Sequence, residues 1–162
     1  MIRSILSVSL LLLSVSVSAA GGARLGDLHV TNAWSRALPP IASTGAAYFT
    51  IDNRGSQPER LMGVMTPIAR RAEIHEHAHA DGVMRMQRVE SVVIAPGAAV
   101  SFAPGKHHVM LFDLQQPLVA GVRYPLTLQF ERAGELEVAV EILDDAPASQ
   151  HGEPPAEAHH HH

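Results

Sequence analysis

Punctuation constrains this chain more than any other feature. Between residues 39 and 134 a glycine or proline interrupts the sequence again and again: Pro39-Pro40, Asn53-Arg54-Gly55, Pro58, Asp81-Gly82, Pro96-Gly97, Pro104-Gly105, Pro117, Gly121 and Gly134. Proline removes a backbone donor and glycine opens positive φ, so each mark ends a regular element. The stretches between them are short and rich in Val, Ile, Leu, Thr and Phe. No stretch sustains an apolar period of 3.6, so helices are not expected. The spacing predicts an all-β sandwich or barrel. Strands are expected over 26–34, 44–52, 59–65, 70–79, 83–90, 91–95, 99–103, 108–114, 122–131 and 135–143. The last shows the pattern well: Leu136, Val138, Val140 and Ile142 share one face, and Glu135, Glu137 and Glu141 the other.

The two ends read differently. Arg3 followed by the apolar run Ile5 to Val17 and the small residues Val17-Ser18-Ala19-Ala20 has the layout of a secretory signal peptide, assigned to 1–19. The run is short for a membrane span and no stop-transfer pattern follows, so no stable membrane insertion is expected after cleavage. Residues 20–143 are expected to form one β domain. From Asp144 to His162 the chain is polar and Pro-rich, the composition of a disordered tail. A formal net charge of -4 and only 4% aromatic residues exclude the basic, stacking surfaces that nucleic acid requires. An enzyme needs a nucleophile beside a base or paired carboxylates in a cleft, and neither pattern is present, so the chain is not read as an enzyme.

Two neighbourhoods hold unusual side chains: residues 73–86, with His75, His77, His79, Met84 and Met86, and residues 104–110, with His107, His108 and Met110. Asp81-Gly82 is a strong two-residue hairpin signal. With that turn, His79 faces Met84, His77 faces Met86 and His75 faces Arg88. Period-2 alternation then puts His75, His77, His79, Met84 and Met86 on one face. His108 and Met110 share a strand face in the same way. Thioether sulfur favours Cu(I) and is a poor partner for oxygen-loving cations, while imidazole suits copper and zinc alike. His75 and Met86 become diagonal neighbours, so if the two segments pack together His75, Met86, His108 and Met110 converge; two His and two Met point to Cu(I), and the absence of cysteine excludes a blue-copper centre. His77 and His79 are open to three readings: a plain polar edge beside the turn, an entry relay for the metal, or, with Met84, a secondary metal site. Met62, Met65 and, in the bland reading, Met84 are expected as core packing. His29 and His107 are expected as ordinary surface or packing residues.

The spacing His75, ten residues, Met86, twenty-one residues, His108, one residue, Met110 resembles the signature of the PCuAC family, copper chaperone A(C). The surroundings are similar as well: Asn32-Ala33-Trp34-Ser35-Arg36, Gly45-Ala46-Ala47-Tyr48, Ala72-Glu73-Ile74-His75-Glu76 and Pro104-Gly105 before His108. The resemblance covers about residues 26–143. It implies a cupredoxin-like Greek-key sandwich or barrel and Cu(I) carried in the periplasm. It also implies delivery toward cytochrome c oxidase subunit II, a Sco-type copper protein, or both. His151, His159, His160, His161 and His162 are open to three readings: a native tail binding Cu(II), a purification tag, or a functionless end. A sequestering or storage protein and a zinc-binding secreted module are the alternative functions.

Overall fold

The computed structural model describes residues 22–80 and 82–147, with the side chains of residues 79 and 80 outside that description. The chain is all-β. Eleven strands follow in order: β1 (Ala23–Leu25), β2 (Leu28–Arg36), β3 (Thr44–Asn53), β4 (Glu59–Met65), β5 (Ala69–Ala80), β6 (Val83–Arg88), β7 (Val92–Ile94), β8 (Ala99–Phe102), β9 (His108–Leu114), β10 (Arg123–Phe130) and β11 (Gly134–Leu143). All ten expected strands are present. The segment expected as 26–34 starts later, because Gly26, at φ +56, turns the chain between β1 and β2. The segment expected as a signal peptide, 1–19, and the part of the expected tail beyond residue 147 lie outside the described residues.

Strand order along the open sheet is β6-β5-β9-β3-β2-β11-β10-β4-β7, with β1 beside β2 and β8 beside β3. Pairing is antiparallel except between β11 and β2. The sheet curls so that its far end comes back to its middle. Asn53, at the end of β3, donates through Nδ2 to the Ile94 carbonyl of β7, and β4 touches β5. The inner face is the core. Ala47, Phe49 and Ile51 of β3, Val109 and Leu111 of β9, and Ile74 of β5 point into it. Leu126, Leu128 and Phe130 join them from β10, and Val138, Val140 and Ile142 from β11. Phe49 stacks on Phe102 with ring centroids 4.4 Å apart. Each such side chain adds roughly 1.5–3 kcal/mol of burial energy.

Three methionines depart from expectation. Met62, Met65 and Met84 are about half exposed, not core packing. Each occupies the outward phase of its strand, and thioether side chains tolerate water at modest cost.

Candidate metal site

The outer face of β9-β5-β6 carries the donor residues, and the register explains why. Gly82 adopts φ +75 after β5, so the hairpin pairs His75 with Arg88, His77 with Met86 and His79 with Met84, as expected. Across the other edge of β5, His75 pairs with His108 and Glu73 with Met110. Ile74 and Val109 fill the core between them, which turns Glu73, His75, His77, His108 and Met110 outward. Met110 is half-buried between Glu73 of β5 and Ala46 of β3.

Met86 lies two strands from His108, a separation of about 9–10 Å at typical strand spacing. Only long side chains close such a gap. Met86 Sδ lies 3.0 Å from His108 Nε2, diagonally across β5. His108 is 4% exposed, whereas Met86 is 50% exposed. One donor is therefore fixed in the protein body and its neighbour faces solvent.

Hydrogen bonds fix the imidazole tautomers. His108 Nδ1 donates to the Lys106 carbonyl at 3.0 Å, which leaves Nε2 with its lone pair. Burial also holds the His108 pKa below its ordinary value; nearby His77, His75 and His107 push the same way, and the Lys106 contact opposes them. His75 Nε2 donates to Glu73 Oε2 at 2.9 Å, and its Nδ1 is buried without a partner. A lone pair buried with nothing to accept is costly unless something outside the chain occupies it. Metal-ligating histidines characteristically hand their other nitrogen to a carboxylate or carbonyl in this way. His75 and Glu73 show the first arrangement, His108 and Lys106 the second.

Glu73 is itself held. Arg71 lies 3.3 Å and Arg88 3.8 Å from its Oε1. Its pKa is lowered chiefly by the hydrogen bond from His75, with partial burial opposing and the two arginines assisting. The Arg71 guanidinium stacks 4.5 Å over Phe112, the next outward residue on β9 after Met110. His77 is the third imidazole on this face. Its ring centroid is 5.1 Å from that of His108, closer than the 6.0 Å between His75 and His108, and its Nδ1 is also buried without a partner.

The structure thus gathers His75, His77, Met86 and His108 on one face, with Met110 one register step away. Met84 lies further out on β6, 54% exposed, opposite His79 in the backbone ladder. The His79 side chain and His151, His159, His160, His161 and His162 lie outside the described residues. His107 packs on Phe102 and sits 3.3 Å from Glu76, consistent with a packing role. Among the described residues, no three His, Cys, Asp or Glu side chains converge on a single point. The donors on this face include thioether sulfur as well as imidazole, and soft sulfur with imidazole fits monovalent copper. Sequence reasoning missed Glu73 as the partner of His75. The i, i+2 spacing on one strand was the signal for it.

The LpqE-like family model matches residues 28–142. A protein of Leifsonia xyli subsp. xyli (strain CTCB07), Lxx21020, whose name carries a lipoprotein label, is 31% identical over 132 residues, covering 80% of this chain and 77% of that one. The copper-bound PCuAC domain from PmoF2 superposes with a TM-score of 0.66 at 25% identity, covering 77% of this chain and 99% of the domain. The solution structure of CuI-DR1885 from Deinococcus radiodurans superposes with a TM-score of 0.60 at 28% identity, covering 78% and 83%. The all-β architecture is the cupredoxin-like one of these domains.

Proposed function

We propose that this chain, which belongs to the LpqE-like (PCuAC) family, carries Cu(I) as cargo on His75, Met86, His108 and Met110 in the periplasm. The observation that supports this most is the contact between His108 Nε2 and Met86 Sδ at 3.0 Å, a lone-pair nitrogen beside a thioether. Two lone pairs gain nothing from facing each other directly, but together they can chelate a soft ion. The copper-bound PmoF2 domain and CuI-DR1885 lend support from relatives. Export rests on the signal-like segment 1–19 and on the lipoprotein label of a relative.

The chain's own part is to hold and release, not to catalyse. His108 and His75 are the fixed, shielded donors. Met86, half in water, is the donor an incoming partner reaches first. A thioether leaves readily, so one ligand can be exchanged at a time and the ion is never bare. The proposed recipients are cytochrome c oxidase subunit II, a Sco-type copper protein, or both. The tail histidines His151 and His159 to His162 are proposed as a separate Cu(II) site, suited by imidazole.

Cu(I) competition titration tests the reading. Met86→Ala with Met110→Ala is expected to weaken Cu(I) binding strongly while far-UV circular dichroism stays unchanged. Unaltered affinity overturns the site; zinc binding that survives in a variant blind to copper favours the zinc module. Restored oxidase activity on complementing a deletion strain separates delivery from storage. Metal analysis with and without residues 144–162 tests the tail.

A further inference from the structure

His77 belongs to none of the four positions assigned above, yet its surroundings are those of a ligand. It pairs directly with Met86 in the β5–β6 ladder. Its ring is nearer to His108 than that of His75 is, and its buried Nδ1 has no hydrogen-bond partner. It also opens outward. A surface hollow of about 490 Å³ is lined by Glu76, His77, Ser101, Gly105, Lys106 and His107. His77 thus stands between the His108–Met86 pair and an open hollow, while His75, tied to Glu73, sits one register step further in.

We propose that His77 is an exchange ligand: it takes Cu(I) from the His75–Met110 side onto an outer seat, formed with Met86 and His108, as the ion enters or leaves. This rests on the Cu(I)-carrying reading above. The two seats share Met86 and His108 and differ in their other donors, His75 with Met110 inside and His77 outside. Moving between them exchanges donors around a monovalent ion, with no change of oxidation state and no proton carried. The geometry favours His77 over Met84 for this role, because Met84 stands two pairs further along the ladder toward the hairpin turn and away from His108.

The sign of the kinetic effect separates an exchange ligand from a resting one. The full chain loaded with one equivalent of Cu(I) under reducing conditions is mixed with excess bicinchoninate, and transfer is followed by stopped-flow absorbance. His77→Ala is expected to slow transfer by about tenfold, the lower end of the cost of losing one supporting group at a metal site. Equilibrium affinity is expected to stay essentially unchanged, because the resting seat keeps all four of its donors. An unchanged rate overturns the proposal. Faster release with weakened affinity also overturns it, since His77 is then a resting ligand. His107→Ala, which alters the hollow but not the donors, is expected to leave the rate unchanged; equal slowing in that variant assigns the effect to the hollow and overturns the proposal. Loss of the parent reading looks different: Cu(I) affinity then survives Met86→Ala with Met110→Ala whatever His77 does.

Discussion

The Nε2 atom of His75 lies 2.9 Å from Glu73 Oε2, and this contact turns Nδ1 of the same ring into a buried, unpartnered acceptor. An ionised carboxylate can only accept, so it dictates which nitrogen keeps its lone pair. Glu73→Gln keeps the shape but offers an amide that can donate as readily as accept, and the tautomer is no longer enforced. We expect Cu(I) affinity to fall by about 10–100-fold, the usual cost of losing a carboxylate behind a ligating histidine. Competition with a chromophoric chelator measures it, with far-UV circular dichroism unchanged. Affinity equal to wild type shows that His75 does not ligate through Nδ1.

Cargo that binds only the folded chain must stabilise it. At free Cu(I) a thousandfold above the dissociation constant, linkage gives about 4 kcal/mol. Thermal unfolding under reducing conditions is expected to shift upward with Cu(I) in wild type. The shift should disappear in Met86→Ala with Met110→Ala, because both seats lose thioether donors. Met62→Ala is the control, exposed on β4 and outside the donor set, and its shift should match wild type.

Much of this was legible in the sequence, for reasons that particular residues make plain. Asp81-Gly82 fixes a short-range register, so the pairs His75–Arg88, His77–Met86 and His79–Met84 followed from counting. Alternation in 135–143 named the inward residues of β11. Two local departures escaped. β1 has only three residues, too few for an alternation to show, and Asn32, at φ +53, interrupts the β2–β3 register between Thr31 and Trp34. Long-range placement was not legible at all. That β9 lies against β5, and so brings His108 to His75, depends on pairing between strands far apart in sequence. The exposure of Met62, Met65 and Met84 escaped because methionine is more often buried than not, so residue type alone argued for the core.

Tyr124 offers a pH-dependence away from the donor face. It is buried, its hydroxyl shares a hydrogen bond with the buried Ser35 hydroxyl, and Ser35 donates to the Ala46 carbonyl. Burial raises the Tyr124 pKa, with the Ser35 contact opposing in part. A raised phenol pKa means the folded chain keeps a proton that the unfolded chain gives up above about pH 10. Its contribution is therefore complete below that pH and is lost as pH rises further. Urea unfolding of the metal-free protein at pH 9 and pH 11 is expected to show a drop that Tyr124→Phe diminishes. An equal drop in the variant places the titration elsewhere.

Glu59 ties the turn after β10 to β4. It is 7% exposed. Its Oε1 accepts from the backbone N–H groups of Arg60 and Arg132 at 2.8 and 3.1 Å, and its Oε2 from that of Ala133 at 2.9 Å. Glu131 N–H adds a bond to the Arg60 carbonyl on the same side. Glu59→Gln can present one oxygen to these donors but must turn an NH₂ toward the others. A buried donor left facing another donor costs about 1–3 kcal/mol. The midpoint of urea unfolding should fall accordingly with an unchanged denaturant slope, because the surface exposed on unfolding is the same. Cu(I) affinity should not move, since β4 and the 131–133 turn lie outside the β9-β5-β6 face. A variant that loses copper affinity while keeping its stability shows that this carboxylate acts on the donor face and not on the turn.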